Sequence, residues 1–247
     1  MTRECSRSES SGWNESAAAW IARLGNSGDF GRQYVLDAPM LERVRGRGFR
    51  RALDVGCGEG RFCRMMHGEG IATIGIDPTV ALVQRARSLD SNGDYRIARA
   101  ESFDCEDATF DLVVSYLTLV DIEDLDGAIR NMSRALRPGG VLLVANLTSF
   151  NTAGMPEGWR DCGGTLQFSI DRYLEERVIC LEWSGIRIHN WHRPLERYMQ
   201  SFLKAGLLLR DFTEPAPIGG DPEKVAQYRR APWFHIMEWQ KPTTQEP

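Results

Sequence analysis

Residues 51–66, RALDVGCGEGRFCRMM, decide how this chain is expected to fold. The apolar stretch Ala52–Val55 leads into Gly56, Gly58 and Gly60, and a helical pattern follows. Glycines between a strand and a helix let the chain turn tightly and let a ligand approach the backbone. The free amide groups at the start of the helix point at the same place. The stretch therefore predicts a strand, a ligand-binding loop and a helix of an open α/β sheet.

The pattern around this stretch alternates between strands and helices. Helices are predicted at 13–24, 37–44, 60–67, 78–89, 125–140 and 194–206, and strands at 52–55, 71–77, 95–100, 110–117, 141–147, 207–215 and 233–240. Such alternation is typical of a mostly parallel sheet covered by helices on both faces. Between residues 151 and 190 the pattern changes to antiparallel strands, with a turn expected at Ser184-Gly185.

Composition narrows the classes of function. The chain has 247 residues and a net charge of −4, which gives no electrostatic argument for nucleic acid or an anionic membrane. No apolar run approaches the ~20 residues that span a bilayer, and the polar N-terminus lacks the apolar core of a signal peptide. We therefore expect a cytoplasmic protein.

Cysteine and histidine spacing argues against a metal site. The six cysteines are scattered without a C-x-x-C pair, so we expect reduced and mostly buried thiols. His189 and His192 lie three residues apart, but no cluster of carboxylates accompanies them. We expect no bound metal.

The spacing of the glycines distinguishes two kinds of adenosine ligand. The dinucleotide fingerprint is G-x-G-x-x-G, whereas this loop reads G-x-G-x-G and follows Asp54. A carboxylate at that position repels a pyrophosphate and suits a ligand with an ammonium and a sulfonium. Asp77, at the end of the second predicted strand, can accept hydrogen bonds from both ribose hydroxyls. These features disfavour an NAD-dependent oxidoreductase.

At this point the sequence resembles the class I S-adenosylmethionine-dependent methyltransferases, in their small-molecule (type 11) branch. Four stretches carry the resemblance, in order, between about residues 52 and 147: LDVGCGEGRF (53–62), GIDPT (75–79), RAESFDCEDATFDLVVSY (99–116) and ALRPGGVLLVANL (135–147). The resemblance implies a Rossmann-like sheet of about seven strands, mostly parallel with an antiparallel closing strand, helices on both faces and an inserted antiparallel segment. It also implies S-adenosylmethionine as cofactor and S-adenosylhomocysteine as product.

The resemblance further implies roles for individual residues. Those expected at the methionine end and its loop are Asp54, Gly56, Cys57, Gly58 and Gly60. Those expected at the ribose and adenine are Asp77, Pro78, Thr79, Ala100 and Glu101. Tyr116 is expected beside the transferred methyl group, as a catalytic residue.

Two further candidates come from the N-terminal and downstream segments. Arg32 follows the first helix and is a candidate partner for the cofactor's carboxylate, with a solvated surface arginine as the alternative. His192 is a candidate general base, with a capping or backbone-bonded residue as the alternative. The run RVRGRGFRR (43–51) either contacts RNA phosphates or forms a solvated loop.

The predicted organisation is a single methyltransferase domain over residues 1–247. It comprises a helical lid (1–45), a cofactor-binding core (46–150), an acceptor-side insertion (151–190) and a closing helix and strands (191–247). The leading hypothesis is methyl transfer to an oxygen, nitrogen or carbon atom of a small molecule, by a monomer or homodimer, with proximity as the main catalytic effect. A tRNA or peptide-terminus methyltransferase and a non-catalytic S-adenosylmethionine-binding protein are the alternatives.

Overall fold

Residues 11–25 and 27–243 are described by the computed structural model. The beginning of the expected lid, with Cys5, lies outside the described residues, as do Asn26 and the last four residues. The helices are α1 (Trp13–Leu24), α2 (Asp37–Glu42), α3 (Arg61–Gly68), α4 (Val80–Leu89), α5 (Leu125–Ala135), α6 (Ser149–Gly154), α7 (Leu195–Lys204) and α8 (Pro222–Tyr228). A π-helical turn (Arg32–Leu36) and a 3₁₀ turn (Leu119–Asp121) complete the helical elements of the described chain.

Eleven strands are present in the described residues. They are β1 (Arg51–Val55), β2 (Ala72–Asp77), β3 (Asp94–Ile97), β4 (Phe110–Tyr116), β5 (Leu136–Leu147), β6 (Trp159–Asp161), β7 (Leu166–Phe168), β8 (Arg177–Trp183), β9 (Ile186–His192), β10 (Leu208–Thr213) and β11 (Phe234–Gln240). Seven of them form one sheet in the order β10-β11-β5-β4-β1-β2-β3, and β6-β7 and β8-β9 are separate antiparallel pairs.

The sheet confirms the predicted fold class. Strands β1 to β5 pair in parallel, and β11 runs antiparallel to both β5 and β10. Successive residues of a strand point to opposite faces, so Leu53 joins one buried cluster with α5 and α7, while Ala52 joins another with α3. Because both faces are covered, the carboxyl ends of the parallel strands are the place left open for a ligand.

The N-terminal helix α1 lies against strand β9. The Ser16 hydroxyl donates to the Arg187 carbonyl and accepts from its amide, both at 2.9 Å. A Cβ on Gly12 would meet the Arg187 carbonyl oxygen at 2.1 Å, so only a glycine permits this approach. The helix is thereby fixed over the open edge of the sheet.

Three local expectations about secondary structure differ from the observed fold. Helix α5 ends at Ala135 rather than continuing to the Pro138-Gly139-Gly140 turn, because these residues are already part of β5. Hydrogen bonds to a residue distant in sequence hold them in the strand. The Gly139 amide donates to the Lys241 carbonyl, and the Lys241 amide donates to the Gly140 carbonyl. The π-helical turn and α8 also lie in segments expected to be irregular.

Two further expectations have mixed outcomes. Cys57 and Cys63 are free and buried, but Cys180 is disulfide-bonded, so the expectation of reduced thiols is wrong for that residue. Three of the five arginines in the run 43–51 lie against carboxylates, in the pairs Arg43–Asp211, Arg45–Glu69 and Arg47–Glu238. This pairing favours the solvated-loop interpretation over an RNA surface.

None of the helices in the described part of the chain is long and apolar enough to span a membrane.

Candidate active site

The carboxyl ends of β1, β2 and β4 open into a cavity of about 430 Å³, a size typical of small-molecule sites. The expected residues that line it are Arg32, Asp54, Gly56, Cys57, Gly58, Asp77, Pro78, Thr79, Ala100, Glu101 and Tyr116. Gly60 and His192 are absent from its lining. Helix α1 and the hairpin β8-β9 supply the opposite wall, through Trp13, Trp20, Val178, His189 and Trp191.

Each of the three glycines in the loop after β1 is required for a different structural reason. All three have positive φ. A Cβ on Gly56 would lie 2.1 Å from Thr118, and one on Gly60 would lie 2.5 Å from the Tyr95 ring. A Cβ on Gly58 would meet nothing within 4 Å, although this residue lines the cavity. Gly56 and Gly60 therefore serve packing, whereas Gly58 leaves space open to a ligand.

Asp77 closes the loop from the end of β2. Its Oδ2 accepts a hydrogen bond from the Gly58 amide at 3.0 Å, and its Oδ1 accepts one from the Thr79 amide at 2.8 Å. Burial raises the pKa of this carboxyl, and the two amides oppose that rise. Each carboxylate oxygen has a second lone pair, so both can still accept a ligand hydroxyl.

Asp54, at the end of β1, carries an unpaired buried oxygen. Its Oδ2 lies 3.2 Å from the Cys63 sulfur, which donates to it, while Oδ1 is buried without a hydrogen-bond partner. Burial, reinforced by Asp77 and Glu59, raises the pKa of Asp54 to about 7. A buried carboxyl with one unused oxygen fits a cationic group such as an ammonium and repels a phosphate. The residues present therefore fit an amino-acid-bearing adenosine cofactor.

The ring of Tyr116 lines the cavity, whereas its hydroxyl is hydrogen-bonded to Asp37. The hydroxyl donates to Asp37 Oδ1 at 2.8 Å, and the same oxygen accepts from Arg61 at 2.7 Å. Burial and the nearby Asp37 hold the pKa of Tyr116 well above its ordinary value. The side chain therefore remains a neutral phenol, which forms part of the cavity wall and is not suited to act as a base.

Arg32 lies between Trp20 of α1 and the ring of Tyr116. Its guanidinium is 5.3 Å from the centre of the Trp20 ring and 6.0 Å from that of Tyr116. It pairs with Asp29, three residues before it in the chain. A guanidinium has five N–H donors, so this pairing leaves donors for a ligand carboxylate, and that role stays a prediction.

The residues predicted to contact the adenine lie in the segments after β2 and β3. Pro78 and Thr79 follow Asp77 directly, and Ala100 and Glu101 face them from the loop after β3. The Glu101 carboxylate forms an ion pair with the Arg99 guanidinium at 3.1 Å.

His192 requires a correction, because the structure removes it from the cavity. Its side chain is fully buried, with one ring nitrogen 2.8 Å from the Thr152 hydroxyl and the other 2.8 Å from the Tyr173 carbonyl. Burial lowers its pKa. Both nitrogens are therefore committed to protein partners, and the assignment as general base is wrong.

The sequence reasoning missed Asp121, which lines the cavity at the end of the 3₁₀ turn after β4. Its Oδ1 accepts a hydrogen bond of 2.6 Å from the Asn190 side chain on β9. Burial raises its pKa to about 7. The available signal was an acidic residue in the apolar run LTLVDI (117–122), just beyond the carboxyl end of a parallel strand.

Comparisons with known proteins agree with this site. Residues 53–144 match the family model described as a methyltransferase domain. The chain is 31% identical over 148 residues to a malonyl-[acyl-carrier protein] O-methyltransferase of Enterobacter lignolyticus, covering 60% of this chain and 58% of that protein. It is 32% identical over 101 residues to a ubiquinone biosynthesis O-methyltransferase of Chelativorans sp., covering 39% and 40%. The chain thus matches less than two thirds of the length of these relatives.

A solved structure extends the similarity over most of the chain. The S-adenosylmethionine dependent methyltransferase from Mesorhizobium loti has 26% identity and a TM-score of 0.70, with 83% of this chain and 95% of that one covered. Together with the site geometry, these matches place residues 53–144 in the methyltransferase domain family, within a chain that has the Rossmann-like fold of class I S-adenosylmethionine-dependent methyltransferases.

Proposed function

We propose that this protein transfers a methyl group from S-adenosylmethionine to a small-molecule acceptor. One observation carries the proposal: Asp77 is fixed to the glycine loop through Gly58, while the buried Asp54 presents an unpaired oxygen beside it. Asp77 stands where an acid can bind a ribose, and Asp54 stands where an acid repels a phosphate. Together they suit a cofactor with a ribose and an amino-acid tail.

The residues of the chain bind and orient the reactants. The cofactor supplies an electrophilic methyl group, already activated by its positive sulfur. Asp54 and Gly58 hold its amino-acid end, Asp77 holds the ribose, and Pro78 packs beside the adenine. The ring of Tyr116 and the lid residue Trp20 shield the transfer position from water. Proximity and exclusion of water supply much of the rate in such a site.

A small acceptor fits the shape and lining of the cavity. Trp13 and Trp191 reach it from α1 and β9, so the acceptor end is walled by aromatic rings. Apolar walls with few polar groups are typical of small-molecule sites. The net charge of −4 and the pairing of the arginines at 43–51 disfavour a nucleic-acid substrate.

We propose the corresponding division of labour along the chain. Residues 1–45 act as the lid, 46–150 bind the cofactor, 151–190 shape the acceptor side, and 191–247 close the sheet. The contact of α1 with β9 supports this proposal, because it joins the lid to the acceptor-side hairpin.

Calorimetry with S-adenosylhomocysteine and with NAD tests the cofactor. We expect binding of S-adenosylhomocysteine in the micromolar range or tighter, and none of NAD. Binding of NAD alone would overturn the proposal. A mass-spectrometric search for a product 14 Da heavier, made with a metabolite extract and S-adenosylmethionine, then separates an enzyme from a non-catalytic binding protein.

A further inference from the structure

Asp121 is the acidic group that the tertiary structure brings to the acceptor side of the cavity. It ends the 3₁₀ turn after β4, and the lining on its side includes Trp13 of α1 and His189 and Trp191 of β9. None of the cofactor roles described above uses this carboxyl. An acid that lines a reaction cavity without a structural ion pair is a candidate for handling the acceptor's proton.

The backbone that carries Asp121 is fixed from both sides by a fully buried arginine. Arg193 donates to the carbonyl of Leu119 at 3.3 Å and to the carbonyls of Ile122 and Glu123, both at 2.8 Å. These three carbonyls flank Asp121 in the chain. A cation held in a buried position by backbone acceptors makes the turn rigid, as a reacting group requires.

The carboxyl of Asp121 is oriented by two neighbours from different elements. The Asn190 side chain donates to Oδ1 at 2.6 Å, and the Trp13 side chain of the lid lies close enough to favour the ionised carboxyl. The lid, the hairpin β8-β9 and the turn after β4 thus meet at one side chain. Carboxylate oxygens retain further lone pairs, so Asp121 can still accept a proton from a bound molecule.

The charged and titratable groups around Asp121 come from each neighbouring element. Asp77 at the end of β2 disfavours its ionisation and Arg32 of the π-helical turn favours it. Glu123, next in the same loop, and His189 of β9 also line the cavity. Asp121 thus lies in a part of the lining where the aromatic side chains of Trp13 and Trp191 stand beside a few polar groups.

We propose that Asp121 accepts the proton released by the acceptor during methyl transfer, and that the acceptor's nucleophile is a hydroxyl or an amine rather than a carboxylate. This inference rests on the proposed function. A hydroxyl or an ammonium carries a proton at neutral pH and gains from a base, whereas a carboxylate has none to lose and is repelled by Asp121.

The step balances without a further reactant. A hydroxyl passes its proton to the Asp121 carboxylate as the O–CH₃ bond forms, whereas an ammonium passes a proton first and its freed lone pair then forms the N–CH₃ bond. The S–CH₃ bond breaks with its electron pair remaining on sulfur, which becomes a neutral thioether. Asp121 then loses the proton to solvent. The pKa of Asp121, raised to about 7 by burial, suits a base working near neutral pH.

A binding experiment tests Asp121 without an acceptor. S-adenosylmethionine and S-adenosylhomocysteine share every group except the methyl and the positive charge on sulfur, so their affinity ratio reports a charge near the methyl. In the wild type we expect this ratio to rise about fivefold in favour of S-adenosylmethionine between about pH 6 and pH 8, as Asp121 ionises. Asp54 also has a pKa of about 7, so the comparison with Asp121→Asn is needed to separate the effects of the two acids.

Matched variants test whether Asp121 causes the pH dependence of this affinity ratio. In Asp121→Asn the ratio should change less than about twofold over this range, while Glu106→Gln, at an exposed acid outside the cavity lining, should follow the wild type. Asn190→Ala removes a hydrogen bond that favours the ionised carboxyl, so the midpoint should move to higher pH. A ratio independent of pH in the wild type, or unchanged dependence in Asp121→Asn, would overturn the assignment. Failure of both ligands to bind would instead refute the proposed function.

Turnover with catechol, phenethylamine and malonate as probes tests the acceptor class. We expect methylation of catechol or phenethylamine, with kcat lowered about 100-fold or more in Asp121→Asn and little change in the KM for S-adenosylmethionine. The choice between the two probes distinguishes a hydroxyl from an amine. Methylation of malonate alone, of none of the probes, or equal turnover by Asp121→Asn would contradict the proposal.

Discussion

The Gly58 amide donates a hydrogen bond of 3.0 Å to Asp77 Oδ2, joining the glycine loop after β1 to the end of β2. The two parallel strands are already paired along their length, from Arg51 opposite Ala72 to Val55 opposite Ile76. This hydrogen bond therefore fixes the ligand-binding loop to the end of the paired strands. It also means that one carboxyl both shapes the loop and faces the cavity.

Replacement of Asp77 should abolish cofactor binding. In Asp77→Ala the Gly58 and Thr79 amides lose their acceptor and the ribose loses both of its acceptors, so we expect the affinity for S-adenosylhomocysteine to fall at least about 100-fold. Calorimetry measures this change. Asp77→Asn keeps one acceptor oxygen and should give an intermediate loss. Normal binding by Asp77→Ala would show that the ribose lies elsewhere.

Alanine at two glycines of the loop should separate folding from binding. Gly58→Ala places a methyl group in the open cavity, so we expect a folded protein with strongly reduced affinity for S-adenosylhomocysteine and a stability loss of about 1–2 kcal/mol from the positive φ. Gly56→Ala drives the methyl group to 2.1 Å from Thr118 and should destabilise the fold more. Urea unfolding and calorimetry on both variants check the contrast, which equal stability losses would contradict.

The contribution of Asp54 to the stability of the ligand-free protein should fall as pH rises from about 4 to about 7. The folded pKa of Asp54 is raised from 3.8 to about 7, so its contribution to folding is complete when it is protonated in both states and is lost as pH rises through 7. At about 1.4 kcal/mol per unit, this loss amounts to at most roughly 4 kcal/mol. Urea unfolding of the wild type and of Asp54→Asn between about pH 4 and pH 8 should show the fall as a difference between the two proteins, because the buried His235, with its pKa lowered to about 4, gives an opposing slope in both. The raised pKa of Asp121 also makes stability fall as pH rises, so some pH dependence of stability should remain in Asp54→Asn.

His192→Ala should act on stability and leave the chemistry intact. The imidazole is fully buried between Thr152 and the Tyr173 carbonyl, so removing it leaves polar partners unsatisfied and a cavity behind. We expect a loss of about 2–4 kcal/mol in the free energy of unfolding, with the affinity for S-adenosylhomocysteine within about threefold of the wild type. Thermal unfolding and calorimetry are the measurements. Unchanged stability with lost turnover would restore His192 as a catalytic candidate.

The parts of the fold that could be predicted are those governed by short-range patterns. The strand, glycine loop and helix from Arg51 to Gly68 follow from apolar periodicity and from positive φ at the glycines. The turn at Ser184-Gly185 is observed, because both residues adopt the positive φ of a two-residue hairpin loop. The continuation of β5 through Pro138-Gly139-Gly140 could not be predicted, since its hydrogen bonds come from Lys241, about a hundred residues later.

By itself the sequence determined the order of strands and helices, the phosphate-free character of the loop, and the acids Asp54 and Asp77, because each depends on neighbours in the chain. Only the tertiary structure decided the acceptor side. Asp121 meets Asn190 across 69 positions of sequence, and it is His189 and Trp191 of β9, not His192, that line the cavity. Alternate residues of a strand face opposite ways, so the pairing of β9 with its neighbours determines which side chain reaches the site.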